Sequence, residues 1–233
     1  MKKPLLPLLV TVAVALTGCA PHRMIGAGTS APVREDIEWL DVWLPESNAR
    51  DLPRVLLIGD SITRGYYPDV QARLQAQAYV ARLTTSKSVG DPALLDEVAL
   101  VLRQARFQVI HFNNGLHGFG YTEAEYERDF PKLIELICGL APQARLILAT
   151  STPMRRGPGM TEFNPGTERV RARNRIIKDL ACQRGLPVND LFALVENEPG
   201  FYVGGDGVHL AASGKSAQAM QVASEVQRLL PAQ

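Results

Sequence analysis

The chain has 233 residues, of which 46% are hydrophobic and 21% charged, an ordinary globular composition for which one domain is the expected count. With 25 basic against 24 acidic residues the formal charge is +1, and no basic run or acidic tail points to nucleic acid. Neither an internal repeat nor a low-complexity tract is present.

In chain order, Lys2 and Lys3 precede an almost wholly apolar stretch from Leu5 to Leu16. That is the charged start and short apolar core of an export signal, too short for an ordinary transmembrane helix. It ends in Leu16-Thr17-Gly18-Cys19, which resembles a bacterial lipobox. The resemblance implies a signal peptide over residues 1–18, cleavage before Cys19 and acylation of that cysteine, a palmitate-type membrane anchor. Cleavage would leave 23 basic and 24 acidic residues, a net charge of −1. Because Ala20 rather than Asp follows the cysteine, resemblance to known sorting patterns implies the outer membrane in a Gram-negative host, within the bacterial cell envelope.

Residues 19–34 are rich in small residues, Gly and Pro, and read as a tether; the domain proper is expected over 35–233. Ile37, Trp39, Leu40, Val42, Trp43 and Leu44 form an apolar lead-in ended by Pro45 and expected to pack on the domain, with a membrane-facing role for the two tryptophans as the alternative. Val55-Leu56-Leu57-Ile58 then runs unbroken into Gly59-Asp60-Ser61, the pattern of a strand buried on both faces and closed by a turn. A helix is expected from Thr63 to about Gln77. Ser61 therefore stands near a helix N-terminus, where outward-pointing N–H groups favour negative charge. The plain alternative is a serine cap on an ordinary turn.

A second strand is expected over Tyr79–Leu83, then a polar loop, then a helix carried by Leu94, Leu95, Val98, Val101 and Leu102. The third strand spans Phe107–Phe112. Thr122-Glu123-Ala124-Glu125 reads as a capping box opening a helix that Pro131 should kink or restart. Leu146–Ala149 is a fourth strand. Val170–Cys182 is helical with Gly185 as its C-terminal cap. Pro187–Leu191 is a short fifth strand, and Ser213 opens a last helix running to Leu230. Strands alternating with helices imply an α/β fold with a parallel sheet, helices on both faces and right-handed crossovers. Ligands in such folds bind outside the carboxyl ends of the strands. Cys138 and Cys182 sit on apparent helix faces; export permits a disulfide, and two buried thiols that never meet are the alternative.

The loops at those strand ends hold Gly59-Asp60-Ser61, Ser88-Val89-Gly90-Asp91, His111 through His117, and Gly205-Asp206-Gly207-Val208-His209. Together they supply a nucleophile, a backbone donor, an amide donor, a carboxylate and an imidazole, a full set for acyl transfer. Asp206 and His209, three apart on a turn, can face the same way, so the carboxylate can hold the imidazole in one tautomer with the other nitrogen free to take a proton from Ser61.

Gly59-Asp60-Ser61-Ile62, Gly90, an asparagine in the third loop and Asp206-x-x-His209 resemble the SGNH/GDSL hydrolase superfamily, with a block pattern covering residues 55 to 213. The resemblance implies a three-layer α/β/α fold with five parallel strands in the flavodoxin-like order 2-1-3-4-5. It implies catalysis by Ser61 as nucleophile, His209 as general base and Asp206 as its orienter. It implies an oxyanion hole from the N–H groups of Ser61 and Gly90 and an asparagine side chain, with neither metal nor organic cofactor. The third block departs from the usual Gly-x-Asn-Asp and is similar to a subgroup carrying Asn-x-Gly-Leu-His. That favours Asn113 as the amide donor, with Asn114 as the fallback one position on. Asn113 is expected just past the strand, its amide turned toward Ser61, while Asn114 points away or supports the loop.

His117 is a candidate substrate contact, with a loop histidine bonded to backbone as the alternative. Arg155 or Arg156 would suit a polar or acidic substrate, though solvated arginines are commoner in loops. Tyr66 and Tyr67 would suit a sugar ring, with packing as the safer reading.

The expected activity is that of a serine esterase cleaving short-chain acyl esters, O-acetyl groups on carbohydrate first, from family resemblance and location. A lipase, thioesterase or lysophospholipase of the same superfamily is the enzymatic alternative, and an idle glycan-binding envelope lipoprotein the non-enzymatic one. The expected partners are a small ester or acylated glycan and, through the anchor, a membrane.

Overall fold

The computed structural model describes residues 31–231; the expected leader, Cys19 and most of the expected tether lie outside the described residues. Among these, no helix is long and apolar enough to cross a membrane.

The chain opens with β1 (Leu40–Trp43) and β2 (Arg54–Gly59), followed by α1 (Ser61–Leu74), β3 (Tyr79–Thr85), α2 (Ala93–Leu102) and β4 (Val109–Asn113). Next come α3 (Glu123–Leu140), β5 (Arg145–Ala149), and a two-stranded ribbon of β6 (Arg155–Arg156) and β7 (Glu162–Phe163). The last elements are α4 (Thr167–Arg184), β8 (Val188–Asn189), α5 (Leu191–Val195) and α6 (Ala212–Gln227). One six-stranded sheet has the order β1-β3-β2-β4-β5-β8. Five of its strands are parallel in the expected order; the sixth, β1, is an antiparallel edge supplied by the apolar lead-in, with Leu40 opposite Thr85 and Trp43 opposite Arg82.

Every residue of β2 is buried, as its unbroken apolar run requires of a central parallel strand. Leu56 and Ile58 face a core shared with α2, α3 and α4, whereas Val55 and Leu57 face α1 and α6. Each fully buried side chain of this kind contributes roughly 1.5–3 kcal/mol, and together these two apolar layers fix the carboxyl end of β2 in the middle of the sheet.

Local chemistry moves several boundaries. Asp60, not Ser61, is the N-cap of α1: its carboxylate accepts the Ile62 N–H at 2.9 Å, so the helix begins at Ser61 rather than Thr63. The capping box at Thr122 and Glu125 forms with both reciprocal bonds. Pro131 neither ends nor restarts α3, which runs through it. The buried face of Phe130, Leu133, Ile134 and Ile137 outweighs a proline cost of roughly 3 kcal/mol. Gly185 caps α4 in the left-handed conformation, φ 64°. Cys138 and Cys182 are both exposed free thiols, neither paired nor buried.

Two residues placed in the expected tether are bound to the domain. The Val33 N–H donates to the Tyr121 hydroxyl at 2.8 Å, and Arg34 pairs with buried Asp91 at 2.9 Å.

Candidate active site

Ser61 is the first residue of α1, at the carboxyl edge of the central strand. Its N–H has no intrahelical acceptor, as for any first-turn residue. Its Oγ lies 2.9 Å from Nε2 of His209, and Nδ1 of His209 lies 2.6 Å from Oδ2 of Asp206. The three side chains form one relay although 148 positions separate Ser61 from His209.

The loop that carries the acid and the imidazole is shaped by the acid itself. Oδ1 of Asp206 accepts the N–H groups of Val208 at 2.8 Å and His209 at 3.0 Å. Gly207 takes φ 65° and lies against the Arg155 carbonyl, where a side chain would collide. Its own carbonyl accepts the Arg155 N–H at 2.7 Å. Burial alone would raise the Asp206 carboxyl. The hydrogen bonds from the His209 side chain and from the Val208 and His209 N–H groups outweigh it and hold the group below the ordinary carboxylate range. Asp206 therefore stays ionised, as an orienting acceptor for imidazole must. The side chains of His209 and Asp206 are 46% and 51% exposed, so the relay stands in an open mouth.

Gly90 lies in a turn after β3 closed by the Asp91 N–H on the Ser88 carbonyl at 2.9 Å. Among the described residues its N–H has no acceptor. A Cβ on Gly90 would stand 2.6 Å from the Tyr121 ring, so the backbone lies flat on that ring and only glycine fits.

Asn113 is the last residue of β4, not the first past it, because its backbone still pairs with Ala149 of β5. Its amide nitrogen donates to the Ala149 carbonyl at 3.0 Å and is 3.4 Å from Ser151 Oγ. The amide thus leans toward β5 in the resting structure instead of turning to Ser61. Asn114 braces the Gly90 loop from both ends of its side chain. Its Oδ1 accepts the Val89 N–H at 3.3 Å, and its Nδ2 donates to the Lys87 carbonyl at 2.9 Å.

The remaining candidates go elsewhere. His117 faces Glu35 through Nδ1 at 2.9 Å and meets the Trp39 ring edge-on at 6.1 Å, so it holds the lead-in segment rather than the relay. Arg155 is buried and donates to the carbonyls of Met160, Thr161 and Glu196, and Arg156 pairs with Glu162 in the small ribbon. Neither meets the expectation of a substrate contact. Tyr66 and Tyr67 are buried, with their hydroxyls on Thr63 and the Val80 carbonyl, so packing is their role. The described residues hold no group of three or more His, Cys, Asp or Glu side chains arranged for a metal.

Sequence reasoning missed the supports of the loop after β4. Arg173 is wholly buried and donates to the carbonyls of Gly115, His117 and Gly118 at 2.6–3.2 Å. Arg169 holds the carbonyls of Phe119 and Tyr121 at 2.6 and 2.5 Å. Nothing in Arg169-Val170-Arg171-Ala172-Arg173 marks the last arginine as buried; only the weak helical spacing of Val170, Asn174 and Ile177 hints which side faces in.

A doubly wound sheet with a hydroxyl, an imidazole and a carboxylate in relay at its carboxyl edge has the architecture of a serine hydrolase. The sequence profile of the GDSL-like lipase/acylhydrolase family matches residues 57–217; the chain belongs to this family and is a carboxylic ester hydrolase. Its fold is similar to that of the aryl esterase of M. smegmatis, with 16% identity over 76% of this chain and 100% of that one, TM-score 0.63. It is similar to Est24, a carbohydrate acetylesterase from Sinorhizobium meliloti, with 18% identity over 76% and 99% of the two chains, TM-score 0.62. It is also similar to the acetyl xylan esterase AlAXEase, with 20% identity over 74% and 99%, TM-score 0.58. Comparison with curated protein sequences gives no match.

Proposed function

We propose that the chain hydrolyses short-chain acyl esters, O-acetyl groups on carbohydrate in particular, through an acyl-enzyme on Ser61. The unbroken relay from Ser61 through His209 to Asp206 in an open mouth is the observation that carries this reading. Nε2 of His209 takes the Ser61 proton as Oγ attacks the ester carbonyl, and Asp206 steadies the imidazolium. The negative charge of the tetrahedral intermediate falls to the N–H groups of Ser61 and Gly90. Asn113 supplies the side-chain donor by releasing its long 3.4 Å contact with Ser151. Donors fixed in advance of the charge are worth roughly 3–4 kcal/mol each. His209 then protonates the leaving alcohol, and water, activated by the same imidazole, frees the acid. The half-exposed relay leaves room for a bulky alcohol such as a sugar. Two structural relatives bear carbohydrate acetylesterase and acetyl xylan esterase names, which supports the same substrate class.

Replacement S61A is expected to abolish hydrolysis of nitrophenyl acetate and covalent labelling by a fluorophosphonate while leaving the thermal unfolding transition in place. Persistent labelling at another serine would refute the assignment. Acetate release across a panel of acetylated glycans tests the substrate class. We further propose, from Leu16-Thr17-Gly18-Cys19, that the protein is anchored by lipid at Cys19 in the bacterial outer membrane. Fractionation should then place it with membranes, and a protein found wholly in the soluble periplasm would contradict the anchor.

A further inference from the structure

The pole of the domain opposite the catalytic mouth carries a cavity of about 490 Å³, within the range that small-molecule sites occupy. Arg50 and Arg54, ahead of and at the start of β2, line it from one side. Arg103 and Arg106, just past the end of α2, line it from the other. None of the four is ion-paired with a carboxylate among the described residues. Arg54 is buried, 6% exposed, and its guanidinium donates to the neutral carbonyls of Pro45, Glu46 and Ala49. Arg50 donates to the carbonyls of Ser47 and Ala49 at 3.0 and 2.7 Å. These bonds fix the guanidinium groups without cancelling their charge. Asp51, next in the chain to Arg50, is engaged by the Tyr79 hydroxyl at 2.8 Å.

The carbonyl end of α2 points to this pole and brings a negative end equivalent to roughly half a charge. Four arginines exceed what that end needs. Removing a charge such as that of Arg54 from water without a counter-charge is costly, and an anion entering the cavity would recover part of that cost. Guanidinium forks match the paired oxygens of phosphate, and Leu52 and Leu102 give the same cavity an apolar flank.

We propose that this cavity is a second, non-catalytic site that binds a phosphate group carried on an organic moiety. The phosphate lies among the four guanidinium groups and the carbon part lies on Leu52 and Leu102. A free phosphate ester and a phospholipid headgroup offer the same chemistry, and the ligands chosen for the test separate them.

Isothermal titration calorimetry of the full chain in neutral detergent tests the site with three probes: inorganic pyrophosphate, glycerol phosphate and a short-chain phosphatidylglycerol. Wild type should bind pyrophosphate, and the exposed pair R103Q/R106Q should bind it about tenfold or more weakly, the loss of one or two charge-assisted contacts. Added salt should weaken binding further. Hydrolysis of nitrophenyl acetate by the double variant should equal that of wild type, which shows that the variant is folded and that the site is separate from the mouth. Tighter binding of glycerol phosphate than of the lipid supports the site with a soluble ester as ligand; the reverse supports it with a headgroup. Absence of pyrophosphate binding by wild type, or equal binding by the double variant, overturns the proposal.

Discussion

At the scale of single residues, the proposed oxyanion hole gives the two asparagines at the end of β4 different tasks that their adjacency in sequence conceals. Successive side chains on a strand point to opposite faces. Asn113 therefore shares the face of Val109, which packs toward α1 and α6, and Ser61 opens α1. Asn114 emerges on the other side, where both ends of its amide are tied to the Gly90 loop. Removing a side-chain oxyanion donor lowers turnover by about 10²–10³. N113A should lower kcat by about that factor with KM nearly unchanged, the mark of an interaction made in the transition state. N114A should instead loosen the loop that presents the Gly90 N–H, with a smaller loss of kcat and a lower unfolding temperature. Steady-state kinetics of both variants on one small ester separates the tasks; a kcat deficit larger in N114A than in N113A reverses the assignment. The meeting of Ser61, Asp206 and His209 was legible because Ser61 stands where a strand gives way to a helix and the other two share one turn. The present lean of Asn113 was not legible, because strand pairing with β5 extends one residue further than the apolar run.

Among the elements, α4 acts as a clamp on the catalytic edge. Arg173 reaches from its buried face into the loop after β4, between the rings of Phe119 and Tyr126 at 5.0 and 5.1 Å. Loop carbonyls that would otherwise be buried without a donor are satisfied by this one guanidinium. Beside it, Arg169 fixes Tyr121, whose ring supports Gly90 and whose hydroxyl accepts the N–H of Val33. The chain of contact thus runs from α4 through Tyr121 to the backbone donor. R173M keeps bulk but strands the carbonyls of Gly115, His117 and Gly118. It is expected to destabilise the domain by about 3 kcal/mol and to lower kcat more than it changes KM. Urea unfolding and ester kinetics check the two halves of that expectation, and a variant as stable as wild type would show that water replaces the guanidinium. The same comparison explains what the sequence conceals at this scale. Regular elements are visible through periodicity and caps, so the five parallel strands and their helices are readable. The edge strand β1 is not, because an exposed two-sided edge has no clean alternation. A buried arginine looks like any solvated one until its carbonyl partners, more than 50 residues away in sequence, are brought to it.

Over the whole molecule, the sheet contains a buried histidine that the chemistry of the mouth does not use, and it ties global stability to pH. His111 lies mid-strand in β4, wholly buried, with Nε2 at 3.0 Å from Nδ2 of Asn189. Oδ1 of Asn189 is held by Gln221 at 2.6 Å, which fixes Nδ2 as the donor and leaves the proton of neutral His111 on Nδ1. A second proton on Nε2 would face that amide nitrogen in a medium without water. Burial accordingly lowers the His111 pKa to about 4, against roughly 6.5 for an ordinary imidazole. Between those values the unfolded chain binds a proton that the folded chain refuses, so stability falls as pH drops through the window. At pH 5 the loss is about 2 kcal/mol relative to neutral pH. Asp129, Asp190 and Asp206 have carboxyls held below their usual range by ion pairs and hydrogen bonds, so their contributions are lost only at lower pH. Glu97, raised by burial, works in the opposite sense, and comparison with a variant subtracts it. H111F leaves the Asn189 amide without its acceptor and should be less stable than wild type at neutral pH. Its unfolding free energy should then change less between pH 7 and pH 5, by about the 2 kcal/mol assigned to the imidazole. Equal slopes for the two proteins in urea titrations at the two pH values would place the acid sensitivity of the fold in another group.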